Sequence, residues 1–150
     1  MPVSVFYEVA TLVRAVDARA PETDTLTIDF FDTLVVRRLA DPDQIKIPVA
    51  RFLAARARLA GLNYDWQTCL RLRAAIEQSH RQRNGALYPD HEACYPEFME
   101  EVLRRIFGEQ FNSRLLEEVT DWELRLEQAV IVPRAALLDL IRRWHAQGKR

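Results

Sequence analysis

One stretch of these 150 residues reads as a β-strand on side-chain chemistry, Thr25-Leu26-Thr27-Ile28-Asp29, and the sequence around it reads almost throughout as helix. A solitary strand constrains the fold severely, because it cannot satisfy its own backbone edges and parallel pairing needs further strand-helix units. Its edge is expected to be covered by helices, by more chain or by a second copy. The strand also delivers Asp29 to its C-terminal end, where open α/β sheets place their ligands. Desolvating an unpaired carboxylate is expensive, so a cation is the expected partner of Asp29.

Helical patterning accounts for the rest. Phe6, Val9, Val13 and Val16 recur at helical spacing behind Ser4, an expected N-cap, and this helix closes near Arg19. Val35-Val36 continues the strand briefly beyond Leu34. Asp41-Pro42-Asp43 signals a helix that kinks or properly begins near Pro48, turns Val49, Phe52 and Leu53 inward and ends at Gly61. Asp65 caps the next, with Trp66, Cys69, Leu70 and Ile76 inward and Asn84-Gly85 as its stop. After an irregular linker, Ala86 to Cys94, Pro96 opens a helix with Phe98, Val102 and Ile106 inward, closed by Gly108. Asn112 or Ser113 caps another, with Leu115, Val119, Trp122 and Leu126 on one face. Pro133 separates this from a last helix with Leu137, Ile141 and Trp144 inward and Gly148 at its end.

Composition excludes several classes of function. With 49% hydrophobic and 29% charged residues the chain is an ordinary globular one, and a net charge of -1 offers no electrostatic ground for a nucleic-acid or membrane partner. The arginines of Arg37-Arg38, Arg71-Leu72-Arg73 and Arg81-Gln82-Arg83 read as solvated helix faces. Two cysteines are too few for a disulfide scaffold, which points to the cytoplasm. The N-terminus carries Glu8 and no basic start, unlike a signal peptide, and no run approaches the ~20 apolar residues of a membrane span.

Asp29-Phe30-Phe31-Asp32-Thr33-Leu34 after an apolar strand, with Arg37 and Arg38 following, resembles the first motif of the haloacid dehalogenase (HAD) superfamily of hydrolases. The likeness runs on through a helical insertion to the last helix and Gly148-Lys149-Arg150. It implies an α/β, Rossmann-like fold, mostly helical in this part: residues 1–38 as N-terminal helix and core strand, 39–132 as a helical cap that excludes water and selects substrate, and 133–150 as a helix returning to the core. It implies Asp29 as nucleophile, attacking a phosphorus centre to give a covalent aspartyl intermediate. Mg2+ is then held by Asp29 and the Phe31 carbonyl, with the turn amides of Phe30 and Phe31 facing the transferred group and Thr33 steadying the turn.

Two departures shape what the resemblance implies. Phosphatases of the superfamily carry a second aspartate where this chain has Phe31; an aromatic residue there resembles the dehalogenase branch, which needs no leaving-group proton. The Ser or Thr, the lysine and the acidic pair of the later motifs belong to chain beyond residue 150. The expectation is therefore the N-terminal part of a hydrolase for a small, phosphorylated substrate, inactive by itself, and able to self-associate through its strand edge. The alternative is a non-catalytic helical interaction module.

Other constellations point to structure. Asp90, His91 and Cys94 form a lone His-x-x-Cys without a second pair, read as a polar loop. Cys69 and His80 fall three turns apart on one helix, too far for a thiol-imidazole pair. His145 is explained by its place near a helix C-terminus, and Trp66, Trp122 and Trp144 by core packing.

Overall fold

The computed structural model describes residues 4–87 and 92–150. The chain is mostly helical, with one small sheet: α1 (Val9–Arg19), β1 (Val35–Arg37), α2 (Lys46–Leu59), α3 (Trp66–Leu87), α4 (Tyr95–Phe107), α5 (Ser113–Val130), β2 (Ile131–Pro133) and α6 (Ala135–Ala146). It divides into two compact units, one built from the residues up to Ala40 together with Val130–Arg150, the other from Asp41–Ala129. No helix among the described residues is long and apolar enough to cross a membrane.

The first unit is a helix pair with an irregular chain laid beside it. Leu137, Leu140 and Trp144 of α6 are buried against Val9, Leu12, Val13 and Val16 of α1, with Leu26 and Leu34 closing the cluster. Glu8, in extended conformation, occupies the N-cap position of α1, so Ser4 and Phe6 precede the helix they were expected to open. At the end of α6, Gly148 adopts φ +77°, its N–H bonds to the His145 carbonyl at 2.9 Å, and the Lys149 N–H bonds to the Trp144 carbonyl at 3.1 Å. This Schellman closure requires the left-handed conformation that glycine supplies without a Cβ penalty.

The expected solitary strand is a correction. Among the described residues Thr25–Asp29 belongs to no sheet; its start is bridged to the chain's last residue, by Leu26 N–H to the Arg150 carbonyl at 2.7 Å and Arg150 N–H to the Asp24 carbonyl at 2.9 Å, the pattern of a parallel bridge. The strands lie elsewhere. Val35–Arg37 pairs antiparallel with Ile131–Pro133, in register Val35 to Pro133, Val36 to Val132 and Arg37 to Ile131. Bonds from Arg38 N–H to the Val130 carbonyl at 2.8 Å and from Arg134 N–H to the Leu34 carbonyl at 2.9 Å extend the pairing at each end. Both segments hold β-branched residues whose stiff side chains suit a pleated surface. Val35-Val36 is therefore a strand of its own, separated from Thr25–Asp29 by a turn.

The second unit is a helical bundle. Val49, Leu53 and Ala57 of α2, Cys69 and Ile76 of α3, Phe98, Met99, Val102, Leu103 and Ile106 of α4, and Val119 of α5 form one core. Each fully buried Leu, Val or Phe contributes roughly 1.5–3 kcal/mol relative to exposure. α2 begins at Lys46, near Pro48 as the sequence suggested; Pro48 is its third residue, in the first turn, where the missing N–H has no intrahelical partner to lose. Asn84 and Gly85 do not stop α3, which continues to Leu87; the Asn84 amide donates to the Glu92 carbonyl at 2.8 Å. Trp122 is 37% exposed and stacks on Phe52 at the rim, with ring centroids 5.8 Å apart, so it is not a core residue.

Candidate functional site

Asp29 opens a six-residue turn. The Leu34 N–H donates to the Asp29 carbonyl at 3.2 Å and the Val35 N–H to the Phe30 carbonyl at 3.0 Å, so each bond spans five residues and the chain reverses tightly into β1. Asp32 takes the left-handed conformation, φ +60°, which aspartate tolerates better than most residues. Asp29 is exposed and is one of the residues lining a cleft of about 190 Å³, with Thr27, Thr33 and the apolar residues Leu12, Val16, Leu26, Ile28, Leu137 and Leu140.

The phenylalanines after Asp29 are solvent-facing. Phe30 and Phe31 are 47% and 38% exposed and meet edge to face, with centroids 4.9 Å apart. The Arg37 guanidinium sits 3.7 Å above the Phe31 ring, within cation–π range. Arg37 therefore stacks on the turn instead of extending into solvent. Thr33 is half-buried and also lines a second cleft of about 240 Å³ with Glu8, Asp32 and Arg134. Its hydroxyl makes no hydrogen bond to the turn among the described residues; main-chain bonds hold the turn, joined by Arg134, whose Nη2 donates to the Asp32 carbonyl at 3.3 Å.

The donors this turn offers a metal are oxygens: the Asp29 carboxylate and the Phe31 carbonyl. Hard oxygen ligands suit Mg2+, which keeps several waters and takes one or two carboxylates together with substrate phosphates. In donor chemistry the pair is compatible with such an ion. No cluster of three or more His, Cys, Asp or Glu side chains able to hold a metal occurs among the described residues. Asp90 and His91 lie outside the described residues, and Cys94 is exposed at the N-cap of α4.

The remaining polar chemistry lies inside the helical unit. Arg73, read from sequence as solvated, is 3% exposed. It bonds Glu123 at 2.9 and 2.5 Å, and its Nε stands 3.8 Å from Glu77. Glu77 also holds Lys46 at 3.1 Å and Arg81 at 3.0 Å, and the Tyr95 hydroxyl donates to Glu123 at 2.9 Å. Burial, reinforced by the Glu123 charge, keeps the Tyr95 hydroxyl well above its usual range. The signal for Arg73 was present in the sequence: Cys69, Arg73, Ile76, Glu77 and His80 share one helical face, and all are buried. His80 meets Glu101 at 2.8 Å and holds that carboxylate below its ordinary pKa. Burial pushes the Cys69 thiol up to about 11, which opposes thiolate chemistry there.

Comparison with known proteins finds no family model that matches this sequence, and no curated protein that matches it.

Proposed function

We propose that this chain is the N-terminal part of a HAD-like hydrolase in which Asp29 is the nucleophile for a small phosphorylated substrate. The observation that carries the reading is the placement of Asp29: an exposed residue lining a cleft, at the first position of a hydrogen-bonded turn with Asp32 at φ +60°. A second feature supports it. The chain leaves the first unit at Ala40 and returns at Val130, so that the helical unit is inserted between the paired β1 and β2, as a cap would be.

In this reading an Asp29 carboxylate oxygen attacks phosphorus, the bond from phosphorus to the leaving group breaks, and water later hydrolyses the aspartyl phosphate to free Asp29 and inorganic phosphate. The Asp29 carboxylate and the Phe31 carbonyl would hold Mg2+, which would supply charge neutralisation for the transferred group. The turn amides orient that group, and the apolar wall of the cleft keeps water from the reacting face. Phe31 cannot protonate a leaving group, which favours substrates whose leaving group departs as a stable anion. The later lysine and acidic pair implied by the resemblance have no counterpart in this reading, so the 150-residue polypeptide binds Mg2+ without turning over.

Mg2+ titration of the labelled chain, followed by amide NMR, tests this. Phe30 to Leu34 are expected to shift in the wild type and to stay still in Asp29→Asn. Equal responses in both proteins would remove Asp29 from the reading. Hydrolysis of p-nitrophenyl phosphate above the buffer blank and lost in Asp29→Asn would refute the expected inactivity. An inert turn favours the rival reading, a helical interaction module in which the motif serves as scaffold.

A further inference from the structure

We infer that Arg134 is the positioning residue of the Asp29 turn: it grips the turn's outer carbonyls and so fixes how the Asp29 carboxylate and the Phe31 carbonyl are presented. The ligand half of this inference rests on the function proposed above; the clamp itself does not.

Six carbonyls belong to the turn from Asp29 to Leu34. Those of Asp29 and Phe30 accept the Leu34 and Val35 amides at 3.2 and 3.0 Å. Arg134 takes two more, the Leu34 carbonyl through its backbone N–H at 2.9 Å and the Asp32 carbonyl through Nη2 at 3.3 Å. Among the described residues no hydrogen bond is made to the carbonyls of Phe31 and Thr33, and Phe31 is the one the metal reading needs. The grip falls on the weakest part of the turn. Asp32 stands at φ +60°, a conformation that costs an L-residue energy and persists only when its surroundings enforce it.

Arg134 is well placed to enforce it. It follows β2 directly and forms the N-cap of α6, where its own carbonyl accepts the Leu137 and Leu138 amides at 3.0 and 3.1 Å. Its backbone is thereby locked at both ends, and the half-buried side chain starts from a fixed point beside the turn. Arginine also suits the task, because its guanidinium stays charged and a charged donor roughly doubles the strength of a bond to a carbonyl. Sequence reading passed over this residue, since an arginine after a proline carries no signal by itself.

Amide hydrogen exchange on the whole chain tests the clamp. In Arg134→Ala the Leu34 and Val35 amides are expected to exchange about tenfold faster, while Leu140 and Trp144 of α6 keep their protection. Arg134→Lys, which retains one charged donor, is expected to restore most of the loss. Unchanged exchange at Leu34 and Val35 would overturn the clamp. So would equal acceleration throughout α1 and α6, because that is what a merely structural residue produces, and Arg134→Lys applies the same criterion should the alanine variant not fold. Mg2+ titration of the same proteins then reads the ligand half: a weaker response of the Phe30 to Asp32 amides in Arg134→Ala than in wild type is expected. An equal response in both would refute that half, whereas a wild type insensitive to Mg2+ would refute the metal reading of Asp29 and leave the exchange result to decide the clamp.

Discussion

Arg73 and Glu123 meet inside the helical unit through two parallel bonds, at 2.9 and 2.5 Å, with the arginine 3% exposed. Removing one partner of such a pair leaves a buried charge without its counter-ion, which costs far more than the pair itself is worth. Glu123→Ala is expected to destabilise the protein by roughly 3–5 kcal/mol in urea unfolding followed by circular dichroism. Replacing both partners with leucine is expected to cost clearly less than the single change. A Glu123→Ala protein as stable as wild type would show that Glu77 alone satisfies Arg73.

In the first unit the indole N–H of Trp144 donates to Asp17 at 3.1 Å, and Arg143 reaches the same carboxylate at 2.6 Å. Trp144 is 3% exposed, so the N–H has no ready access to water. Asp17→Ala is expected to lower stability by about 1–3 kcal/mol, the cost of stranding a buried donor. Trp144→Phe in the Asp17→Ala background should recover part of this, measured by thermal unfolding; no recovery would place the loss elsewhere on α1.

Asp65 starts α3 by accepting the Thr68 amide at 2.6 Å, and the Thr68 hydroxyl and amide together hold its carboxyl below the ordinary value of 3.8. A depressed folded pKa means that the cap's contribution is fully present above the unfolded pKa and is lost as pH falls through the folded one. The Thr68 amide shift is therefore expected to titrate with a midpoint below 3.8, and α3 to fray at its first turn only under stronger acid than that. In Asp65→Asn the titration should vanish. A midpoint above 3.8 would contradict the cap.

Cys69 is fully buried with its thiol raised to about 11, whereas Cys94 is exposed. At pH 8 a thiol reagent is expected to modify Cys94 alone in the folded protein and both cysteines after unfolding in urea. Mass spectrometry of the labelled chain reads this directly. Modification of Cys69 at a comparable rate would mean that the bundle opens locally around α3.

The elements readable from the sequence are those whose causes are local. The side chains of Asp65 and Asn112 reach amides three residues on, at 2.6 and 3.0 Å, and Gly61, Gly108 and Gly148 take the positive φ that closes a helix. Phe98, Val102 and Ile106 are buried because helical spacing alone puts them on one face. The Asp29 motif is equally local as a string of residues, and its turn is closed by bonds that span only five.

What escaped the sequence depends on partners distant in the chain. Thr25–Asp29 has the side chains of a strand, yet among the described residues its pairing with another segment is limited to its start, where Leu26 N–H and the neighbouring Asp24 carbonyl bond to Arg150, and strandedness is a property of the pairing. Val35 became a strand because Pro133 lies opposite it, and Arg73 left the solvent because Glu123 on another helix receives it. Arg134 reaches the Asp32 carbonyl across 102 residues of sequence. The sequence by itself determined the helices, most of their ends and most of their apolar faces, since these are settled within a few turns of backbone. Which extended segments pair, which charges are buried together and what grips the Asp29 turn were decided only by tertiary structure, because each is a contact between groups that local patterning cannot bring together.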